Sequence, residues 1–245
     1  MPLRKFKHLV VLPFLGAVFD LKGGRFRTDG CSFEIPKEPA TRPLRYRFLL
    51  HTYEARELKM VRQFVRPDDR VLELGGCLGV VSCVTNRRLR APAHHVVVEP
   101  TPAGVMAMRR NREINRASFQ IESCAVSGDA GGKFVLDSAN ITGGRLQTSP
   151  QEPGGIPVKS LRQLWQQHGP FDVLICDIEG GELEVFEQSA DLFRSLRLVI
   201  VELHDFLISD AGVRRCQAVM REAGLELVAE DKGVEAWQRN PAATA

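Results

Sequence analysis

No pair among the six cysteines, Cys31, Cys77, Cys83, Cys124, Cys176 and Cys216, has C-x-x-C spacing, which excludes the usual zinc and thioredoxin-type signatures. Most of them sit in apolar runs, where cysteine serves as a small buried hydrophobe. Reduced thiols and a cytoplasmic protein are expected. Charge of one sign is scarce as well. The 33 Lys and Arg nearly cancel the 30 Asp and Glu, leaving +3, without the concentrated basic face of a nucleic-acid binder. Two local thickenings, Arg42, Arg45 and Arg47, and Arg87, Arg88 and Arg90, read as solvated faces. The N-terminal apolar run, Leu9 to Phe19, is too short to span a bilayer. It contains Pro13 and Gly16, and no small-x-small cleavage site follows it, so a buried strand or hairpin is predicted there rather than a signal peptide. A G-x-G-x-x-G dinucleotide fingerprint is missing too: counted from Gly75, Cys77 and Val80 stand where its second and third glycines belong. No internal repeat is visible.

What is present is a regular α/β alternation. The 245 residues suffice for one large domain with a sizeable core. Residues 1–50 read as a folded N-terminal extension of short strands, with turns at Gly23-Gly24 and Asp29-Gly30, lying on a main domain of residues 51–245. Tyr53 to Val65 has helical apolar spacing. Strands are predicted at Arg70–Leu74, His95–Glu99, Phe119–Ser123, Phe171–Asp177 and Arg197–Leu203. Helices are predicted at Val80–Leu89, Pro102–Asn115, Leu161–His168, Glu182–Leu196 and Ala211–Ala223. The chain closes with a hairpin, Leu225–Glu230 and Val234–Arg239, around Asp231-Lys232-Gly233. Five βα units and an antiparallel pair describe a doubly wound, Rossmann-like mixed sheet. Asn140–Pro157, rich in glycine and proline, reads as a long loop and a potential lid.

Ligands of such sheets bind beyond the carboxyl ends of the strands. Val71-Leu72-Glu73-Leu74-Gly75-Gly76-Cys77-Leu78-Gly79 takes an apolar strand into a glycine turn, and Glu99 closes the next strand. The spacing E-x-G-x-x-x-G is the pattern of S-adenosylmethionine sites. Gly75, Gly76 and Gly79 would permit close backbone approach, and Glu99 would accept from ribose hydroxyls. Glu73 is expected to receive the cofactor's amino group, and Cys124 and Ala125 to border its adenine. Strand four ends in Asp177-Ile178-Glu179-Gly180-Gly181-Glu182, and strand five in Glu202-Leu203-His204. Polar residues two apart share a face if extended, so these two clusters should be neighbours.

The chain resembles the FkbM-type methyltransferases. The resemblance rests on Tyr53-Glu54 with Glu57, the turn at Glu73–Gly79, Glu99-Pro100, the D-x-E-G-x-E run at Asp177–Glu182, and Glu202-x-His204. It covers roughly residues 50 to 205, and the D-x-E-G-x-E run is its most specific part. It implies the seven-stranded class I methyltransferase fold and O-methylation of hydroxyls on sugars, glycans or natural products, with S-adenosylhomocysteine as product. The chain departs from the family at Glu73, Gly76 and Cys77, where Asp, Ala and Asn are usual.

In-line methyl transfer to a hydroxyl is therefore expected, driven mainly by alignment. His204 is the first candidate base, as a neutral imidazole, followed by Glu179 and Asp177. Glu54, on the helix before strand one, is a candidate cofactor contact. Asp177, Glu179 and Glu202 could hold Mg²⁺, although no metal is predicted. Without an Asn-Pro-Pro-aromatic motif after strand four, no nucleic-acid partner is expected, and no motif indicates the oligomeric state. Two other classes share these features: a catalytically silent S-adenosylmethionine-fold binding module, and an NAD- or nucleotide-dependent enzyme.

Overall fold

The computed structural model describes residues 11–37, 40–128, 133–136, 144–147 and 155–240. Seven strands form one sheet: β3 (Val71–Leu74), β4 (His95–Val98), β5 (Gln120–Glu122), β10 (Val173–Cys176), β11 (Leu198–Glu202), β12 (Leu225–Asp231) and β13 (Val234–Arg239). Their spatial order is β12-β13-β11-β10-β3-β4-β5. Pairing is parallel from β11 to β5, in registers such as Val71↔His95, Val173↔Val71 and Val173↔Leu198. β13 inserts antiparallel between β11 and β12. This is the doubly wound mixed sheet that the alternation predicts. The switch of winding direction falls between β3 and β10, where a ligand crevice belongs.

The central strands β3, β4 and β10 are buried at every position, as strands covered on both faces must be. Their side chains alternate between two cores. Val71, Val97, Val173, Ile175, Leu198 and Ile200 join one core, and Leu72, Leu74, Val98, Leu174, Val199 and Val201 join the other. The first core packs under helices α3 (Ala55–Phe64), α4 (Val80–Arg88) and α5 (Pro102–Ile114). The second packs under α6 (Leu161–His168), α7 (Glu182–Gln188) and α8 (Asp205–Glu222). At the β12–β13 hairpin, Lys232 and Gly233 both have positive φ (50° and 93°), the conformation that a tight hairpin turn demands.

The N-terminal extension differs from expectation. The stretch predicted as a strand or hairpin is helix α1 (Leu12–Leu21), with Pro13 in its first turn. Proline suits that position because the missing N–H would find no helical partner there, and Leu12, Gly16 and Phe19 line its buried face. The turn at Gly23-Gly24 and the hairpin β1 (Arg25–Thr28) with β2 (Cys31–Glu34), turning at Asp29-Gly30, keep the predicted form. A further helix, α2 (Arg42–Leu49), packs on α1. Arg45 is not a solvated residue: it is buried and bound to Asp20 Oδ1 and the Pro36 carbonyl, both at 2.5 Å. Phe48 stacks on Phe19 and, at 4.1 Å between centroids, on Tyr53. The extension therefore fixes the start of α3.

Three smaller departures concern later segments. The helix predicted at Glu182–Leu196 ends at Gln188, and a 3₁₀ turn, Leu192–Ser195, follows. The helix after β11 starts at Asp205 and is interrupted at Ser209 (φ 64°, ψ 164°). Between β5 and α6 lie two small sheets that the sequence did not signal: β6 (Ala125–Ser127) pairs with β9 (Val158–Ser160), and β7 (Lys133–Leu136) with β8 (Gly144–Gln147). β8 falls within the stretch read as a loop, and the other residues of that stretch up to 154 lie outside the described residues. Among the described residues, no helix is long and apolar enough to cross a membrane. All six cysteines are free thiols.

Candidate active site

A cavity of about 340 Å³ opens at the carboxyl ends of β3, β4, β10 and β11, within the size range of small-molecule sites. The strand ends build its floor. Gly75 N and Gly76 N both donate to the Val98 carbonyl, and Asp177 N donates to the Leu74 carbonyl, at 2.9–3.0 Å. Gly75 adopts φ +92°, and a Cβ on it would lie 1.8 Å from the Asp177 carbonyl oxygen, so glycine is required where the two strand ends meet.

Glu99 is the best organised of the predicted contacts. It follows β4 by one residue and borders the cavity, 5 % exposed. Its Oε1 accepts from Thr101 N (2.8 Å) and Thr101 Oγ1 (2.5 Å), and its Oε2 accepts from Cys77 N (2.8 Å). The carboxylate thereby holds the glycine turn, in which Cys77 is strained at φ +44°. Burial pushes the Glu99 carboxyl above its ordinary range, and the hydrogen bonds from Thr101 and Cys77 oppose this. One lone pair of Oε2 is left for a ligand hydroxyl.

Gly75, Cys124, Ala125, Asp177 and Glu54 also line the cavity. Glu73, Gly76 and Gly79 do not. Glu73 lies within β3, one residue before its end, so its side chain enters the layer beneath α4. There it accepts from Ser82 Oγ (2.5 Å) and faces His95 Nε2 (3.1 Å), both buried. Glu99 and Asp177 each follow their strands and project past the sheet edge instead. Gly76 faces β4 and α5, where a Cβ would come within 2.4 Å of Val97 Cγ1 and 2.9 Å of Met108 Sδ, and Gly79 faces α5, where one would come within 2.9 Å of Met108 Cγ. Their function is to let α5 pack closely on the turn.

The two acidic clusters meet, as expected. Glu179 and Gly180 have φ of 53° and 98°, so the segment turns back and is not extended. His204, at the N-terminus of α8, sets its Nε2 3.6 Å from both Asp177 Oδ1 and Glu179 Oε2. Its Nδ1 bonds to Glu182 Oε1 at 2.8 Å, a wholly buried carboxylate that sequence reasoning left without a separate function. Burial pulls the imidazole down, but the Glu182 hydrogen bond and the charges of Asp177 and Glu179 outweigh it and raise His204 to about 9. The direction of the shift favours the protonated imidazole over the neutral base that the sequence suggested. Asp177 is pushed up to about 8 by burial and by Glu202, against the pull of His204. Glu179 is also raised, mainly by burial.

On the opposite wall, burial lifts Glu54 well above the usual carboxylate range, with Glu57 adding repulsion. Glu57 itself is raised to about 7 by burial and by Glu202, whose carboxyl it meets. A raised carboxyl pKa gives up its proton more easily when unfolded, so stability falls as pH climbs from about 4.5 to about 7 and is flat above. Glu57→Gln should therefore reduce the loss of stability between pH 5 and pH 8 by about 1–3 kcal/mol. Denaturant unfolding at both pH values measures this, and an unchanged loss would contradict the buried-proton account.

Arg47, Leu44 and Ala40 complete the wall. Their own neighbourhood in sequence carries no sign of this: α2 reaches the cavity only because the extension folds across it. Arg47 is the one Lys or Arg among the described lining residues, against six carboxylates. Most of the expected lid lies outside the residues whose side chains are described.

The sequence model described as the methyltransferase FkbM domain matches residues 73–229. No curated protein matches the chain. Solved structures similar in fold include a precorrin-6y C5,15-methyltransferase from Geobacter metallireducens, with TM-score 0.49 and 10% identity over 85% of this chain and 94% of that one. A ribosomal protein L11 methylase from Lactobacillus delbrueckii subsp. bulgaricus has TM-score 0.46 and 12% identity, over 77% and 80% of the two chains. Fibrillarin from Aeropyrum pernix, solved with natively bound S-adenosyl-L-methionine, has TM-score 0.44 and 14% identity, over 71% and 66%.

Proposed function

The chain belongs to the FkbM methyltransferase family, and on that premise we propose that it methylates a hydroxyl group of a sugar, glycan or natural product, with S-adenosylmethionine as donor. The observation that carries the reading is Glu99: a carboxylate just past β4, holding the glycine turn by the Cys77 N–H and keeping a lone pair toward the cavity. Glu99 would bind the ribose hydroxyls of the donor. Cys124 and Ala125 would border its adenine, and the Gly75–Leu78 turn with Glu54 and Asp177 would hold its methionine end. The donor supplies a methyl group on a cationic sulfonium, and a lining rich in carboxyl groups with one arginine offers it oxygen atoms rather than opposing positive charge.

The chain's own residues handle alignment and the proton. Leu44, Phe206 and Ile178 offer apolar walls, and excluding water there strengthens the electrostatic contacts. His204, protonated, places positive charge between Asp177 and Glu179. We assign proton acceptance to Glu179, the most exposed of the three at 36 %, which loses least solvation when ionised.

Isothermal titration with S-adenosylhomocysteine, with NAD⁺ as control, tests the donor without knowledge of the acceptor. One site of micromolar affinity and no heat from NAD⁺ is the expected result. Preference for NAD⁺, or no binding of S-adenosylhomocysteine, would overturn the reading. Product formation with polyhydroxylated acceptors then tests the hydroxyl.

A further inference from the structure

We propose that the cavity holds a divalent transition-metal ion, of the Mn²⁺ or Zn²⁺ class, bound by His204 Nε2 and the carboxylates of Asp177 and Glu179. The three donor atoms lie within 4.8 Å of one another. Both distances from Nε2, 3.6 Å to Asp177 Oδ1 and 3.6 Å to Glu179 Oε2, are too long for hydrogen bonds. They are close to the roughly 3–3.5 Å that separates ligand atoms around one ion with bonds of about 2.1 Å.

Two further observations point to a ligand at this place. The His204 side chain is 7 % exposed and lies at the cavity, and its Nε2 meets Asp177 and Glu179 only at 3.6 Å, beyond hydrogen-bond reach. Asp177 Oδ1 is buried and has no hydrogen-bond partner. A buried carboxylate oxygen without a partner, beside an imidazole nitrogen held just out of reach, is costly unless something binds there. The rest of the ring is arranged accordingly. Nδ1 is tied at 2.8 Å to Glu182, whose carboxyl is wholly buried. A ligating histidine usually has its other nitrogen bonded to a carboxylate in this way, which fixes the tautomer and aims the free nitrogen at the metal. Glu179 stands at the mouth, and half-exposed it offers an entry path.

The ligand set differs from the one that the sequence suggested. Glu202 meets Glu57, so an imidazole replaces a carboxylate in the trio. That changes the ion: carboxylates alone suit Mg²⁺, whereas imidazole with carboxylates suits Mn²⁺, Fe²⁺ or Zn²⁺. Binding displaces the proton from Nε2, so that the ion takes over the positive charge between the two carboxylates. The second oxygen of Glu179 stays free to accept the hydroxyl proton, and coordination positions are left open to the cavity. In the methyl-transfer reading, on which this functional part alone rests, those positions would bind two neighbouring hydroxyls of the acceptor and orient one for attack.

The test is a titration of the full chain, stripped with EDTA, with Mn²⁺ at neutral pH, followed by the loss of the electron paramagnetic resonance signal of free Mn²⁺. One site of micromolar affinity is expected. His204→Ala and Glu179→Gln should each weaken it at least tenfold, and Glu182→Gln by roughly 10–100-fold. Glu179→Gln keeps the test decisive if His204→Ala fails to fold, because Glu179 sits half-exposed on a turn. S-adenosylhomocysteine affinity of the same samples separates the two readings. Mn²⁺ affinity in the millimolar range, or equal in wild type and Glu179→Gln, overturns the metal site even where S-adenosylhomocysteine binds. Tight Mn²⁺ binding without S-adenosylhomocysteine binding supports the metal site and overturns the methyltransferase reading instead.

Discussion

Gly75→Ala is expected to destabilise the protein by more than about 4 kcal/mol, a large share of the roughly 5–15 kcal/mol that holds a domain folded. Two costs combine at this residue. Its φ of +92° is strained for any side chain, which costs about 1–2 kcal/mol. The added Cβ would also lie 1.8 Å from the Asp177 carbonyl oxygen and 2.9 Å from its carbon. Neither side can retreat, since Gly75 N is bonded to Val98 O and Asp177 N to Leu74 O. Gly233→Ala is the control. Gly233 has nearly the same φ, +93°, but the nearest atom to its added Cβ is 3.6 Å away. It should cost only the backbone strain, about 1–2 kcal/mol. Urea unfolding of both variants decides the matter, and equal losses would mean that the strand ends do not meet as closely as described.

The second large effect concerns the ligand. Glu99→Ala should weaken S-adenosylhomocysteine binding by at least a hundredfold, since charged hydrogen bonds are each worth about 1.5–3 kcal/mol. The loss has two sources: the ribose acceptor disappears, and the Cys77 N–H that shapes the turn loses its partner. Thr101→Val separates them. It removes the hydroxyl that donates to Glu99 and caps α5 through Gly104 N at 3.1 Å, while the carboxylate and its bond from Cys77 N stay. About 1 kcal/mol of stability should be lost, with binding kept within tenfold. Undiminished binding by Glu99→Ala, measured calorimetrically, would remove this residue from the donor site.

The strand ends explain why so much of the site was legible. In β3, β4, β10 and β11, short and nearly continuous apolar runs mark strands buried on both faces, and a parallel sheet gathers its ligand at their carboxyl ends. Glu99, Asp177 and the Glu202-Leu203-His204 run could be placed by counting from those ends. Glu73 was misplaced by the same count. It lies one residue inside the strand, and that single step turns a cavity wall residue into a buried partner of Ser82 and His95. Helix α1 was misread because a short apolar run fits a strand as well as a helix, and here packing against α2 decides.

The sequence by itself determined the doubly wound sheet, the glycine turn, the strand-end acids and the meeting of the two acidic clusters. These follow from local rules: side-chain alternation, the conformational freedom of glycine, and turn chemistry within a few residues. Only the tertiary structure decided that Arg45 is buried on Asp20 while Arg47 reaches the cavity, and that Gly76 and Gly79 serve the packing of α5. It alone decided that His204 has Glu182 on one nitrogen and Asp177 and Glu179 at the other, a setting that raises its pKa. The physical reason is common to all of these. What a polar side chain does depends on its burial and on the charges facing it, and here those come from residues 22 or more positions away along the chain.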